Sequence, residues 1–559
     1  MFSSFRLTAA LTVLVSLSVN VFGLGKVTRA GKYLYNQDGS RFFIKGVAYQ
    51  PQGQVDTSSG FVEPTTFTDP LADSASCSRD IPFLQQLTVN TIRVYSVNAS
   101  LNHDACMQAL SAANIYTVID LSLPVNGSIN RSAPTWTTGL LDQYIETINA
   151  FNKYDNVLAY GIGNEVVIAN DQTSSAAAAY VKAAARDTKA YLKSINSTAL
   201  TTYSAVDGPQ WIIDFANYLS CDPTGTNSDA AAIDLYGLNN YELCGNQTFD
   251  QAYASKTQSF SNFNVAAYFS EFGCVNPSPR VWADVAALFS SQAVPVWSGG
   301  LAFSYFPAVS SQGQFGMVNV SGNTVTTGQD FANLKTAYGQ VQFTNSPTQS
   351  AAPSPSYPAC ASNDQTFLVS TTLPPTPNLA ACNCLDQNLS CLFTPQVSNT
   401  SAIIGELFNA ACSLLGQVGQ NCNAISGNGT TGVYGAASAC SPETQLSYVM
   451  TQYYESQNEV AQACSFAGNG TVNTAAGTNV ASENSAISSC LASATGTSVP
   501  TAPAGSTAGP AGSAGSSGSS GSGGSGSGSG NKTSAAAGLS AGFALMVLTS
   551  MLCGVMTLA

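Results

Sequence analysis

Two glutamates stand at the ends of apolar, strand-like runs and suggest carboxylate chemistry. Glu165 closes the run VLAYGIGNE, and Glu271 lies near the end of VAAYFSEFG. Both runs are rich in β-branched and aromatic residues, which is typical of buried parallel strands. In a retaining glycosidase, two carboxyl groups about 5 Å apart act as acid/base and nucleophile. The alternative is a pair of capping or ion-paired surface glutamates.

Eight strand-like runs alternate with helical stretches between about residue 25 and residue 345. The runs cover residues 41–49, 90–97, 115–123, 156–164, 199–206, 231–239, 264–272 and 295–306. This alternation predicts an α/β fold, a (β/α)8 TIM barrel, in which Glu165 and Glu271 end strands four and seven. Barrel active sites lie at the carboxyl ends of the strands, so both carboxylates would face one cleft. The alternative is an open doubly wound sheet, but the first strand lacks the Gly-rich loop of its nucleotide-binding version.

Polar and aromatic residues at strand ends can contact a sugar. Asn164 precedes Glu165, where an amide can hydrogen-bond a sugar 2-hydroxyl. Asp120 and Asp207 can bind hydroxyls or cap loops. Three tyrosines can stack on sugar rings or position Glu271, with packing at the barrel rim as the alternative: Tyr95, Tyr241 and Tyr305.

The sequence lacks the residues that other catalytic mechanisms require. A Ser-His-Asp triad needs a histidine base, and the only histidine, His103, stands at a predicted helix start, where we expect a surface or capping role. The cysteines are expected in disulfides instead of a zinc site. No P-loop or dinucleotide fingerprint is present. We therefore expect neither a metal nor a cofactor.

Composition points to a secreted protein with a neutral polar ligand. The 559 residues include 18 basic and 31 acidic side chains, a formal net charge of −13, and only 9% are charged. No basic patch indicates nucleic acid as a partner. Low charge with abundant Ser, Thr, Asn, Gly and Tyr suits a glycosylated, exported chain.

Composition also divides the chain into segments. An apolar stretch after Arg6 ends in small residues, as in a signal peptide. The terminal apolar tail follows a short spacer without a basic stop-transfer cluster, which is typical of a GPI-anchor signal with attachment at Asn531; a membrane helix is the alternative. We predict a signal peptide at 1–23, a catalytic domain at 24–345, a Pro/Ser-rich linker at 346–359, a cysteine-rich module at 360–490, a Ser/Gly-rich stalk at 491–530 and the GPI signal at 531–559.

Fifteen cysteines in an exported chain indicate disulfides. Cys553 lies in the tail predicted to be removed, which leaves fourteen. Five cysteines precede residue 300 and eight lie in the later module, with Cys360 between them. Because five cannot pair among themselves, Cys360 is expected to bond back to the first group and tie the two domains together.

Several motifs in order resemble glycoside hydrolase family 72, the fungal GPI-anchored β-1,3-glucanosyltransferases. They are GVAYQP, RVYSVN, INRSAPTW, the GNE of Glu165, YGLNNYELCG, FSEFGC followed by PR, and VWSGG. The eight-cysteine segment resembles the X8 module, also called carbohydrate-binding module family 43. The resemblance covers nearly the whole mature chain and implies a TIM barrel followed by a small disulfide-rich, mainly helical carbohydrate-binding module.

The resemblance also implies an activity. Glu165 would be the general acid/base and Glu271 the nucleophile of an enzyme that cleaves β-1,3-glucan internally and transfers the donor segment to another chain's non-reducing end. Tyr95 and Asn164 would contact the donor, Asp207 the acceptor, and Tyr241 would lie near the nucleophile. The expected partners are the two glucan chains and a GPI lipid. The protein would be a monomer on the outer face of the plasma membrane, with transfer to the cell wall as a further possibility.

Seven disulfides follow from the same resemblance. They would join Cys77 to Cys106, Cys221 to Cys360, Cys244 to Cys274, Cys382 to Cys440, Cys384 to Cys490, Cys391 to Cys464 and Cys412 to Cys422.

Three positions depart from the family pattern. Phe303 stands where the family commonly has a donor-site tyrosine and can stack without hydrogen-bonding. Leu243 replaces an aromatic residue, and Ile212 stands where an acceptor-side arginine is common. These changes bear on sugar subsites and chain-length preference, not on the two carboxylates.

Two other functions stay open. An endo-β-1,3-glucanase would use the same residues with water as acceptor, and a non-catalytic wall protein would only bind glucan. Because a glutamate acid must stay protonated at the working pH, we expect activity to peak on the acidic side of neutrality.

Overall fold

The structure is a computed structural model that describes residues 23–503, except 52–54, 57–62, 65, 124–127, 170–173, 208–210, 311, 362–366, 399, 478 and 495–497. The predicted GPI signal with Asn531, nearly all of the predicted signal peptide and most of the Ser/Gly-rich stalk lie outside these residues. In the described part of the chain, no helix is both long and apolar enough to cross a bilayer.

Eight parallel strands close into a barrel in chain order, each paired with the next and the last with the first. They are β1 Ile44–Ala48, β2 Thr91–Val94, β3 Tyr116–Asp120, β4 Val157–Asn164, β5 Leu200–Val206, β6 Leu235–Asn240, β7 Ala266–Phe272 and β8 Trp297–Ala302. The barrel prediction is confirmed, and the open-sheet alternative is excluded by the β8–β1 pairing.

Helices follow the strands and cover the barrel from outside. They are α1 Ser74–Gln86, α2 Asp104–Ala112, α3 Thr138–Phe151, α4 Ala177–Ser194, α5 Ile212–Ser220, α6 Phe249–Ala252, α7 Ala254–Ser259, α8 Ala283–Leu288 and α9 Gln329–Gly339. The alanines of α4 favour helix and let its buried face approach the barrel closely. Asp73 caps α1 by accepting from the amides of Ala75 and Ser76.

Short strands complete the barrel domain. Thr28–Ala30, Tyr33–Tyr35 and Arg41–Phe42 form an antiparallel sheet. Three two-stranded pairs join Val55–Asp56 to Glu63–Pro64, Val309–Ser310 to Gly313–Gln314, and Val318–Ser321 to Thr324–Thr327.

His103 differs from the expectation for a helix-start residue at the surface. It does precede α2, but its side chain makes no capping hydrogen bond and is only 2% exposed. Its Nε2 lies 2.8 Å from Oδ2 of Asp69, and its ring packs on Phe151. The surface or capping role is therefore wrong: the histidine is a buried, paired residue.

The cysteine-rich module is mainly helical. Its helices are α10 Leu379–Asn388, α11 Ser401–Gln417, α12 Pro442–Ser456 and α13 Val480–Ala494, and its short strands pair Cys391–Phe393 with Gly470–Val472 and Gly427–Asn428 with Val433–Tyr434. Four disulfides cross this small core, which needs covalent support at such a size.

The module lies against the helical face of the barrel. The amide of Thr138 in α3 donates to the carbonyl of Ala439, and Tyr180 of α4 meets Tyr434 edge to face. At Gly429 an added Cβ would lie 1.9 Å from a carbonyl oxygen of the barrel domain, so glycine allows this close approach. The two domains therefore share a packed, hydrogen-bonded interface.

The segment predicted as a linker follows the barrel surface. Arg41 donates to the carbonyl of Ser346, and the hydroxyl of Tyr35 donates to that of Pro347. At its end, Cys360 forms a disulfide with Cys221, the bond that cysteine parity predicted between the domains. The described residues contain seven disulfides, the same pairs that the family resemblance implies.

Candidate active site

Glu271 lies in β7 with its carboxylate buried at the carboxyl end of the barrel, 8% exposed. Its Oε1 accepts hydrogen bonds from the Tyr95 hydroxyl at 2.8 Å and from Nη1 of Arg93 at 3.2 Å. Its Oε2 accepts from the Tyr241 hydroxyl at 2.7 Å. Three donors on two oxygens fix the orientation of the carboxylate.

Burial raises the pKa of Glu271 to about 7. Arg93 and the hydroxyls of Tyr241 and Tyr95 oppose this rise because they favour the charged form, whereas the negative charge of Glu165 adds to it. Glu271 therefore changes charge near neutral pH.

Arg93 occupies the centre of the site. It stands in β2 with no exposed side-chain surface. Its Nη2 donates to Oδ2 of Asp120 at 2.7 Å and to Oδ1 of Asn164 at 2.9 Å, while Nη1 reaches Glu271. A buried guanidinium requires such partners. One side chain thus connects β2, β3, β4 and β7.

Glu165 follows β4 directly, and its carboxylate has a different neighbour. Nδ2 of Asn239 in β6 donates to its Oε1 at 2.7 Å and to Oδ1 of Asn164 at 3.1 Å. Oδ1 of Asn239 accepts from the hydroxyl of Ser270, the residue before Glu271. A continuous hydrogen-bond network therefore joins both glutamates at the carboxyl ends of the barrel strands.

Aromatic rings form one wall above Glu271. Phe303 meets both Tyr95 and Tyr241 edge to face, with 6.3 Å between ring centroids in each pair, and Phe315 packs on Phe303 at 5.3 Å. Arg280 donates to the carbonyls of Phe303 and Phe315, which holds the two loop residues together. Such aromatic surfaces with a few fixed polar groups are typical of ligand sites.

Asp207, the expected acceptor contact, lies just beyond β5 in a charged network. Its Oδ1 accepts from Lys256 and its Oδ2 from Asn240. Lys256 also pairs with Glu242 at 3.0 Å. Both carboxylate oxygens of Asp207 thus contact protein groups in this structure.

Three other sequence-derived positions are buried. Tyr305 has no exposed surface, and its hydroxyl donates to Asp80 at 3.1 Å, so the expected sugar contact does not fit its place in the core. Leu243 and Ile212, which replace an aromatic residue and an arginine of the family pattern, are 1% and 6% exposed. Both act as apolar packing residues.

Arg93, Asn239 and Phe315 were not singled out by the sequence. Arg93 did carry a signal, since a charge inside an apolar strand must find buried partners. Asn239 lies in the YGLNNYELCG motif without any feature that marks its contact with Glu165. Phe315 lies outside the recognised motifs, and its local sequence does not mark the ring contact with Phe303.

A closed eight-stranded barrel with two carboxylates at the ends of β4 and β7 defines an enzyme of the glycoside hydrolase type. The chain belongs to the Glucanosyltransferase family (Glyco_hydro_72), whose model matches residues 25–342. The X8 domain model matches residues 389–471, a shorter range than the predicted module.

Named relatives agree with this membership. The chain is 40% identical over 473 residues to 1,3-beta-glucanosyltransferase gas1 of Schizosaccharomyces pombe, covering 82% of each protein. It is 36% identical to 1,3-beta-glucanosyltransferase GAS2 of Saccharomyces cerevisiae, covering 76% of this chain and 75% of the relative. A mutant of Saccharomyces cerevisiae Gas2p solved with laminaritetraose and laminaripentaose has a TM-score of 0.71 and 32% identity, covering 83% of this chain and 99% of that one.

Proposed function

We propose that this protein is a retaining β-1,3-glucanosyltransferase that elongates cell-wall glucan. The observation that carries the proposal is the contrast between the two carboxylates. Glu271 is buried and fixed by three donors, as a nucleophile must be, whereas the carboxylate of Glu165 accepts a hydrogen bond from the side-chain amide of Asn239. The named glucanosyltransferase relatives and the laminari-oligosaccharide complexes of Gas2p support glucan as the substrate.

In the first half-reaction, a carboxylate oxygen of Glu271 attacks C1 of the donor sugar. The bond from C1 to the glycosidic oxygen breaks, and the carboxyl group of Glu165 gives its proton to that oxygen. The leaving glucan segment departs with a new hydroxyl, and the donor segment remains bound to Glu271 as an ester. Tyr95, Tyr241 and Arg93 keep the attacking group in place.

In the second half-reaction, the carboxylate of Glu165 takes the proton of an acceptor hydroxyl at a non-reducing end. The acceptor oxygen attacks C1, and the bond between C1 and Glu271 breaks. Two displacements at C1 retain the β configuration. In this proposal, Asn164 and the ring faces of Tyr95 and Phe303 contact the donor chain, and Asp207 contacts the acceptor chain.

The test uses a reduced laminari-oligosaccharide as substrate and a product-length profile. A transferase gives products longer than the substrate, while an endo-β-1,3-glucanase gives only shorter ones. Glu165→Gln and Glu271→Gln are expected to abolish both, and Glu146→Gln, a change of an exposed glutamate on α3, should not. Unchanged activity in either active-site variant would refute the assigned mechanism, and glucan binding by the unaltered protein without any product would favour a glucan-binding wall protein.

The proposal places the enzyme as a GPI-anchored monomer on the outer face of the plasma membrane. Its support is the sequence: an apolar amino-terminal segment and a carboxyl-terminal apolar tail behind Asn531. Release from cells by phosphatidylinositol-specific phospholipase C tests the anchor, and light scattering of the released protein tests the monomer. Protein that stays with the membrane after this treatment would favour a membrane helix or covalent attachment to the wall.

A further inference from the structure

The backbone of Glu165 adopts an unusual conformation. Its φ is +48°, in the left-handed region that residues with a side chain rarely occupy. Such a conformation costs free energy and persists only where the surroundings hold it. In this protein it occurs at the residue proposed to carry the proton.

Two elements hold this conformation through the backbone of Glu165 and its neighbours. The amide of Glu165 donates to the carbonyl of Ser204 in β5 at 2.8 Å, and Nε of Arg131 donates to the carbonyl of Glu165 at 2.8 Å. The hydroxyl of Tyr203, a fully buried residue of β5, accepts from the amides of Val166 and Val167 at 2.9 and 3.3 Å. The turn that carries Glu165 is thus bonded on both sides.

The backbone contacts of Arg131 and Tyr203 explain how these residues can affect the chemistry by way of Glu165. Rotation of the peptide after Glu165 would swing its side chain away from Asn239, the donor that orients the carboxylate. An acid displaced by about 1 Å from its productive position can lose about 100-fold in rate. Both residues therefore act on the site through the backbone.

We infer that Arg131 and Tyr203 are positioning residues for Glu165, holding its strained backbone so that the carboxyl group meets the glycosidic oxygen. This inference rests on the proposed function, in which Glu165 is the general acid/base. It concerns proton transfer, because the contacts described above join both residues to the backbone around Glu165.

The experiment compares two substrates that differ in their need for a proton. Departure of a glucan chain requires the acid, whereas 2,4-dinitrophenolate leaves a dinitrophenyl β-laminari-oligosaccharide without one. Arg131→Met is expected to lower kcat/KM for laminari-oligosaccharide about 10- to 100-fold. The rate at which the Arg131→Met variant releases dinitrophenolate in the first turnover should change less than about 3-fold. Tyr203→Phe should show the same selective loss, and Arg131→Lys should restore part of it.

Controls separate positioning from folding and from the function itself. Arg29→Met removes another arginine that donates to a backbone carbonyl, that of Gly31, together with its contacts to Asp234 and Tyr357, and should leave the ratio of the rates on the two substrates unaffected. Glu165→Gln must show the same selective loss; if it does not, the acid/base role itself fails. The positioning role is overturned by one further result. In it, Glu165→Gln slows only the laminari-oligosaccharide reaction, whereas Arg131→Met and Tyr203→Phe slow the reactions of both substrates equally or slow neither. Thermal melts show whether Arg131→Met folds. If it does not, the rates of Arg131→Lys and Tyr203→Phe on the two substrates decide whether the positioning role holds.

Discussion

The side-chain amide of Asn239 donates to Oε1 of Glu165 over 2.7 Å and so links β6 to the residue that follows β4. Its oxygen accepts from Ser270, beside Glu271. In the strand register Asn239 also lies opposite Glu271 itself. One uncharged side chain thus links the carboxylate of Glu165 to the strand that carries Glu271.

Asn239→Ala is expected to lower kcat/KM for glucan transfer about 10- to 100-fold, since a hydrogen bond to a charged group contributes about 1.5–3 kcal/mol. Initial rates from product-length profiles measure the loss. Asn264→Ala is the control, because that side-chain amide donates to the carbonyls of Ser220 and Ser356 and not to a glutamate. Equal rates in the two variants would show that Asn239 has no part in the site.

Tyr241→Phe should move the acidic limb of the kcat/KM profile to higher pH. The nucleophile acts as a carboxylate, so activity falls as the pH drops through the pKa of Glu271, which burial raises to about 7. Removing a hydroxyl that favours the charged form raises this pKa further. The acidic limb of the kcat/KM profile of the unaltered enzyme is then expected near pH 7. This is closer to neutrality than the acidic pH optimum expected from the sequence.

A pH–rate series on laminari-oligosaccharide measures this limb. Tyr305→Phe is the matched control, because its hydroxyl donates to Asp80 and not to Glu271. A limb that moves to lower pH in Tyr241→Phe, or moves equally in Tyr305→Phe, would contradict the assigned role of the tyrosine.

Glu271→Gln is expected to stabilise the fold at pH 8 but not at pH 4. Because the pKa of Glu271 rises from 4.5 to about 7 on folding, ionisation of this one group costs nothing below pH 4.5 and destabilises the folded protein increasingly as the pH rises towards 7. Glutamine does not titrate, so the variant avoids a loss of up to about 3 kcal/mol. Melting temperatures at both pH values measure the effect, with exposed Glu146→Gln as control. A gain of equal size at pH 4 would refute this origin.

Replacing Cys221 and Cys360 by serine should destabilise the protein more than replacing Cys412 and Cys422. The first bond spans 139 residues and the second spans 10. Loop-closure entropy then predicts an additional loss of about 2 kcal/mol for the longer loop. Urea unfolding of the two double variants measures the difference. Equal losses would indicate that chain entropy does not dominate here.

The barrel could be predicted because buried parallel strands require apolar runs of recognisable length. The exact residues at which the strands begin and end were harder to predict. The run 41–49 divides into Arg41–Phe42, which joins the small antiparallel sheet, and Ile44–Ala48, which enters the barrel. Composition does not show which of the two sheets a strand joins, since aromatic and β-branched residues suit both kinds of sheet.

The candidate site was predicted in part. Strand-end position placed Glu165 and Glu271 correctly because the barrel geometry brings all strand ends to one face. The same rule was less useful for Tyr305, since the chain turns after Phe303 and directs the tyrosine to Asp80. The role of Asn239 depends on which side chain, two strands away across the barrel end, comes within hydrogen-bond distance, and no local pattern encodes that distance.

The Cys221–Cys360 bond changes what a protease can do to this protein. A cut anywhere between residues 346 and 359 would break the chain between the barrel and the module. Both fragments would nevertheless remain covalently attached, because the disulfide bridges the cut. Nicked protein would migrate as one species until a reducing agent is added, so proteolysis of this segment would not by itself release the module.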